Sequence, residues 1–168
     1  NELYAWNSSN DKAKLIVNDN STPQGYHVSS DGSITFSKDE SKLYFGLALP
    51  EIVQDTLLLK EEIVNVEVWT YDEPRLYTVQ EKQVKNDRKK SFQTVYHLKD
   101  KKLIQIATQE FPNAVLSDEG NGDYALISTK KPYQLSSQWT AQFSTNDLAI
   151  INLENGISKM AIKANPSS

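Results

Sequence analysis

The chain has 168 residues, a net charge of −4 and no cysteine. At this length one hydrophobic core is expected, and the three Trp, eight Tyr and five Phe residues place the composition outside the disordered class. The absence of cysteine excludes a disulfide framework, a thiol nucleophile and a zinc–thiolate cluster. The negative charge argues against nucleic acid as a partner, because binding phosphates needs a concentrated basic surface. Basic residues cluster between Lys85 and Lys102, but Asp87 and Asp100 interrupt them, so a solvated loop and hairpin tip are expected there.

Membrane insertion is not expected either. The longest apolar stretch is residues 43–50, far below the ~18 residues that a spanning helix needs. The first residues lack the charged, apolar and small-residue order of a signal peptide.

Alternation of apolar and polar residues with a period of two dominates the chain, which predicts strands rather than helices. The intervening segments are rich in Asp, Asn, Gly and Ser, the residues that favour tight turns. The polar run 80–90 has only Val79 and Val84 as an apolar stripe, so it is predicted to be mostly loop or extended. The predicted strands, in chain order, are residues 3–6, 14–17, 34–36, 43–47, 64–71, 92–98, 103–106, 114–116, 124–127, 148–153 and 157–162.

Two kinds of hairpin alternate along the chain. One kind turns through a serine followed by acidic residues, after Phe36 and after Leu116. The other joins two apolar strands through a turn of charged, Asn or Gly residues, and it occurs at 3–17, 92–106 and 148–162.

Their order predicts an all-β single domain over 1–168, made of two four-stranded antiparallel units preceded by the last two strands of another unit. The units are 1–18, 19–107 with a long insertion at 49–90, and 108–168. Such alternation is typical of the blades of a β-propeller. An ordinary sandwich or meander with coincidental turns is the alternative.

Several phrases of the sequence resemble the propeller region of bacterial prolyl-oligopeptidase-type serine peptidases. The resemblance covers most of residues 30–162, and it is carried by residues 36–45 (FSKDESKLYF), 66–74 (VEVWTYDEP), 87–91 (DRKKS), 116–120 (LSDEG), 132–133 (PY) and 136–139 (SSQW). The resemblance implies a propeller that limits access to a separate α/β-hydrolase domain, which holds the catalytic Ser, Asp and His. It also implies a periplasmic or secreted protein.

The hydrolase domain itself is missing from this chain. A nucleophile elbow, G-x-S-x-G, needs two glycines four residues apart, and no pair of the six glycines has that spacing. The chain is therefore expected to be a non-catalytic segment, either excised or naturally truncated, with no catalytic, cofactor-binding or metal-binding residues assigned. Some members of the wider family hold a peptide amine with paired glutamates. The sequence around Glu61 and Glu62 does not match that motif, so the role is not carried over.

Other constellations have simpler interpretations. His27 and His97 are the only histidines and have no second ligand nearby in sequence. The Asp-Glu pairs at 39–40, 72–73 and 118–119 suit turns better than a glycosidase, whose two carboxyls must face each other across a substrate. Residues 118–123 (DEGNGD) have the composition of a calcium loop without its ligand spacing, so a hairpin turn is expected.

Two functions follow from these observations. The leading hypothesis is a propeller segment that gates or docks peptide substrates, with the rest of the propeller and the hydrolase domain as partners. Uncovered terminal sheets would then favour self-association. The alternative is a stand-alone β-sandwich that binds carbohydrate or protein. Such a sandwich would bind carbohydrate through Trp69, Tyr71 and Trp139. The wider set of candidates for a sugar-stacking or peptide-binding surface is Trp6, Tyr44, Trp69, Tyr71, Tyr133 and Trp139, although Trp and Tyr on strands more often pack in the core.

Overall fold

A computed structural model describes residues 1–6, 8, 11–51, 73–139 and 144–166, with the backbone alone for 138 and 139. The described part is mostly β, its sheets are antiparallel, and one sheet is curled into a half-barrel. Its strands and helices are β1 (Glu2–Ala5), β2 (Lys14–Asn18), β3 (His27–Val28), β4 (Thr35–Phe36), β5 (Lys42–Ala48), α1 (Tyr77–Arg88), β6 (Phe92–His97), β7 (Lys102–Gln105), β8 (Asn113–Leu116), β9 (Tyr124–Thr129), α2 (Gln134–Trp139), β10 (Thr145–Asn152) and β11 (Ser158–Pro166).

The strands form three sheets in chain order. The first sheet pairs β1 with β2, and the third sheet has the order β8-β9-β10-β11. In the central sheet, β3 and β4 pair along one edge of β5, and β6 and β7 follow on its other side. Each pair is antiparallel. The predicted mostly β, antiparallel character is therefore confirmed, and the last sheet has the four strands predicted for it. The central sheet has five strands instead of four, because the short strand β3, which was not predicted, pairs with β5 beside β4.

The three sheets are joined by two separate hydrophobic cores, one on each face of the central sheet. The core between the first and central sheets contains Leu3, Val17, Val28, Leu43, Phe45, Leu47 and Tyr96. The core between the central and third sheets contains Tyr44, Val95, Ile104, Ile106, Ala125, Ile127, Ala149, Ile151 and Leu153. Strand β5 serves both, because successive side chains of a strand point to opposite faces. This layering is one reason that six of the seven residues of β5 are buried.

Polar contacts between neighbouring turns help to hold the central sheet against the third. The hydroxyl of Tyr44 donates to the carbonyl oxygen of Gly120 at 2.7 Å, and the backbone N–H of Asp39 donates to Asn121 Oδ1 at 3.0 Å. Gly120 has φ +86°, and a Cβ there would lie 2.9 Å from the Tyr44 ring, so glycine is needed on both counts. The turn before β5 thus lies against the turn before β9.

The prediction that residues 80–90 are loop or extended is wrong. Helix α1 runs over Tyr77–Arg88 without burying a single residue. Its sequence, YTVQEKQVKNDR, is rich in Gln, Glu, Lys and Arg, which have high helix propensity. An apolar stripe was the wrong criterion for a helix that packs no apolar face into the core. The predicted strand at 64–71 lies outside the described residues.

Removing the hydroxyl of Tyr44 tests the junction between the central and third sheets. The bond is buried, so Tyr44→Phe leaves a buried carbonyl oxygen unpaired and should lower the free energy of unfolding by about 1–2 kcal/mol. Urea unfolding measures the loss. Tyr4→Phe is the control, because the Tyr4 hydroxyl bonds to Glu2 at the surface, and its effect should stay within about 0.5 kcal/mol. Equal losses in the two variants would show that the buried bond adds nothing to stability.

Candidate functional site

Two long connections leave the sheets at the same end of the molecule. One joins β5 to β6 and carries α1, and the other joins β9 to β10 and carries α2. Because the turns before β5 and β9 lie together at the opposite end, the strand ends Ala48 and Thr129 share this end. The two helices also approach each other here, with Leu76 and Val79 facing Gln134 and Ser137 across a hollow of about 160 Å³.

Between this pair of helices and the strand ends lies a cleft made of two adjoining hollows, each of about 590 Å³. Its apolar wall includes Leu49, Pro50, Val84 and Phe92, and its far side includes Pro112, Lys130 and Lys131. Both hollows share Leu49, Arg75, Asp87, Lys90 and Phe92. A volume of this size is typical of a small-ligand site.

The described walls of the cleft carry more positive than negative charge. Arg75, Arg88, Lys90, Lys130 and Lys131 line it, against Glu51 and Asp87. Asp87 is paired with Arg75 at 2.8 Å, and the Lys90 ammonium lies 5.7 Å from the centre of the Phe92 ring. The cleft therefore combines an apolar wall with a rim of basic side chains that includes Arg88, Lys130 and Lys131. This combination suits a ligand with an apolar body and a carboxylate.

Arg75 organises helix α1 from outside it. Its guanidinium donates to Gln83 Oε1 at 2.8 Å and pairs with Asp87, while its carbonyl oxygen accepts from Gln80 Nε2 at 2.7 Å. These partners lie three and four residues apart, on one face of the helix. Arg75 is not among the residues singled out from the sequence, because nothing in a linear pattern shows which helix face an arginine will contact.

At the opposite ends of these strands, Lys42 contacts residues 118–123, the segment with the composition of a calcium loop. Its side chain is 9% exposed, and its ammonium donates to the carbonyl oxygens of Asn121 and Gly122, both at 2.8 Å. Asp123 Oδ1 lies 3.7 Å away. The ammonium thus takes the oxygen atoms that a bound cation would use. The expected hairpin turn is present between β8 and β9, and its residues Asp118, Glu119 and Gly120 all have left-handed backbone, with φ of 48°, 52° and 86°.

The Asp-Glu pairs at 39–40 and 118–119 are brought together at this end but do not resemble a glycosidase site. Lys38 pairs with Glu119 at 2.9 Å. Hydrogen bonds from the Ser37 hydroxyl and from Ser41 lower the pKa of Asp39 to about 2. A general acid needs a raised pKa, so Asp39 is unsuited to that role. The third pair, 72–73, includes a residue outside the described ranges.

The two histidines are far apart. His27 pairs with Ala48 at one end of β5, and His97 pairs with Lys42 at the other. The Nε2 atom of His97 lies 2.7 Å from the carbonyl oxygen of Leu153, a contact that joins the central and third sheets. Within the described ranges, no group of three or more His, Cys, Asp or Glu side chains is arranged to hold a metal ion.

The aromatic residues proposed for a binding surface do not form one among the described side chains. Tyr44 is buried between two sheets, whereas Trp6 is 63% exposed beside the first sheet. The hydroxyl of Tyr133 donates to Asp147 Oδ1 at 2.6 Å and so fixes the second connection to β10. This bond lowers the pKa of Asp147 and raises that of Tyr133. Trp69, Tyr71, the Trp139 side chain and the Glu61-Glu62 pair lie outside the described part.

Comparison of the chain with protein-family models, with curated proteins and with solved structures finds no match. Of the helices in the described ranges, none has the length and apolar character needed to cross a membrane.

Arg75→Ala tests whether this side chain holds α1 in place. Since α1 buries no residue, losing the partly exposed ion pair and the Gln83 bond should lower the free energy of local opening by about 1 kcal/mol. Hydrogen exchange of the amides of residues 77–88 should then become about fivefold faster. Lys82→Ala, an exposed change on the same helix, is the control and should leave the rates unchanged. Equal acceleration in both variants would show that α1 does not depend on Arg75.

The low pKa of Asp39 predicts a loss of stability in acid. A carboxyl whose folded pKa of about 2 lies below its ordinary 3.8 stabilises the fold above pH ~4, and that contribution disappears as the pH falls towards 2. NMR titration should give the low pKa in the native protein and a higher one in Ser41→Ala. Asp39→Asn should destabilise the protein at pH 6 but not at pH 2. A native pKa near 3.8 would contradict the hydrogen-bonding account.

Proposed function

We propose that this chain is a non-catalytic segment of a β-propeller in a prolyl-oligopeptidase-like serine peptidase. In this proposal the segment gates or docks peptide substrates for a separate α/β-hydrolase domain. The observation that carries the propeller is the layering of the sheets: consecutive antiparallel sheets stack in chain order, and a separate core lies on each face of the central one.

The matching register of the two larger sheets supports a repeat. In the central sheet, Phe36 pairs with Leu43, and Leu43 pairs with Tyr96. In the third sheet, Leu116, Ala125 and Ile151 pair in the same order. Both rows begin directly before a turn that starts with Ser and contains an Asp-Glu pair. A sandwich with a single closed interior would not place one sheet between two cores.

The cleft supports peptide docking. Two consecutive repeats each contribute a long connection to it, and both connections follow the strand that comes after the serine turn. Its apolar wall with Phe92 and its cationic rim with Arg88 fit a short peptide that carries a C-terminal carboxylate. From the resemblance we further propose a periplasmic or secreted location, with the hydrolase domain and the remaining propeller as partners.

Fluorescence anisotropy with a labelled proline-containing tetrapeptide tests the docking function. The peptide with a free C-terminal carboxylate should bind the full chain. Arg88→Glu, which reverses a charge on the rim of the cleft, should weaken binding at least about 10-fold, since a favourable charge contact becomes repulsive. Lys82→Glu makes the same charge change on the same helix but not among the residues that line the cleft, and it should have little effect.

Two further measurements sharpen this test. The C-terminally amidated peptide should bind more weakly than the acid, because it lacks the carboxylate. Incubation with chromogenic Xaa-Pro substrates should yield no product. Absence of peptide binding, equal weakening by both charge reversals, or clear hydrolysis by the chain would each reject the proposal.

A further inference from the structure

The two hollows of the cleft differ in charge. The first hollow is the one lined by Arg88, and the second hollow is the one lined by Lys130 and Lys131. Lys90 lines both, and none of these three lysines forms an ion pair with a carboxylate of the described residues. Asp87 is the one carboxyl side chain in the described lining of the second hollow, and it already pairs with an arginine at 2.8 Å. The second hollow therefore has an excess of positive charge.

The backbone that carries Lys130 and Lys131 is held in place. Thr129, the buried last residue of β9, accepts a hydrogen bond on its hydroxyl from the backbone N–H of Lys131. The carbonyl oxygen of Lys130 accepts from the backbone N–H of Tyr133 at 3.0 Å, within a short 3₁₀ turn. The Tyr133 hydroxyl bonds in turn to Asp147 on β10. Since the backbone is already ordered, an anion that binds here needs to order only the lysine side chains.

An apolar stretch separates the two basic regions. Leu49 and Phe92 line both hollows, whereas Arg88 lines only the first and Lys130 only the second. Two roughly spherical adjoining hollows of about 590 Å³ have centres at most about 10 Å apart, which is the span of about three extended residues at ~3.3 Å each. A peptide whose C-terminal carboxylate lies at Arg88 would therefore bring a side chain from two or three residues earlier into the second hollow.

We infer that the second hollow is an anionic subsite, and that the cleft selects peptides with an acidic side chain two or three residues before an apolar C-terminal residue. This inference rests on the proposed function, in which the single C-terminal carboxylate leaves Lys130 and Lys131 unmatched. A Glu or Asp carboxylate would accept charge-assisted hydrogen bonds from their ammonium groups, and the apolar wall strengthens such bonds relative to bulk water. Glu51 lines the first hollow only, so a second carboxylate of the ligand is favoured in the second hollow.

Paired tetrapeptides test the subsite. Glu-Ala-Pro-Leu and Ala-Glu-Pro-Leu are each compared with the counterpart that carries Gln in place of Glu, all with a free C-terminal carboxylate and an uncharged N-terminal fluorophore. In fluorescence anisotropy at low ionic strength, at least one Glu peptide should bind the full chain about fivefold more tightly than its Gln counterpart, as expected for a partly exposed ion pair. The preference should fall below about twofold in about 0.5 M salt, because salt screens exposed charges.

Two matched double variants assign the preference to the second hollow. Lys130→Gln/Lys131→Gln should remove the preference for Glu and leave the affinity for the Gln peptides nearly unchanged. Lys82→Gln/Lys85→Gln removes the same charge from helix α1, at positions that are not among the residues that line the two hollows, and it should keep the preference. Arg88→Glu should weaken the binding of Glu and Gln peptides by the same factor.

The subsite and the proposed function fail in different ways. Equal affinities within both peptide pairs, or a preference that survives in Lys130→Gln/Lys131→Gln, would overturn the subsite while peptide binding through Arg88 stands. If no peptide of either kind binds, or if binding does not respond to Arg88→Glu, the proposed function is wrong and the subsite falls with it.

Discussion

The architecture depends on one constraint, the need of β5 to bury both of its faces. Leu43, Phe45 and Leu47 require one apolar partner surface, and Tyr44 on the opposite face requires another. A single sheet pairing cannot satisfy both, so the central sheet must lie between two others. The first and third sheets meet this need, and each of them has only one face covered within the described residues. The same hydrophobic constraint thus accounts for the stacking of the three sheets.

Much of this arrangement could be predicted from the sequence because it is local. The period-two pattern and the turn residues gave nearly all the described strands, and the alternation of hairpins gave the grouping into units, since each sheet is built mainly from consecutive strands. Helix α1 was missed for the opposite reason: its stability depends on propensity and on Arg75, neither of which produces an apolar stripe. The cleft could not be predicted, because Leu49, Arg75, Lys90 and Lys130 are scattered in sequence and meet only in the fold.

The junction between the central and third sheets shows how buried polar groups are supplied with hydrogen-bond partners. Lys42 brings a positive charge into a nearly closed site, and such a charge is costly unless oxygen atoms replace its water. The carbonyl oxygens of Asn121 and Gly122 do so. Tyr44 lies on the same strand, and burial raises its pKa to about 12, so it remains a neutral donor to Gly120. Two neighbouring turns are thereby held in register by donors from a single strand.

Both long connections lie at the same ends of the strands, and this placement has an evolutionary consequence. The connection between β5 and β6 is roughly three times as long as that between β9 and β10, yet closing the longer loop costs only about 1 kcal/mol more. None of the described residues of either connection belongs to the buried part of a core. Selection can therefore lengthen, shorten or recombine these segments and reshape the cleft that they line, while the stacked sheets are inherited unchanged.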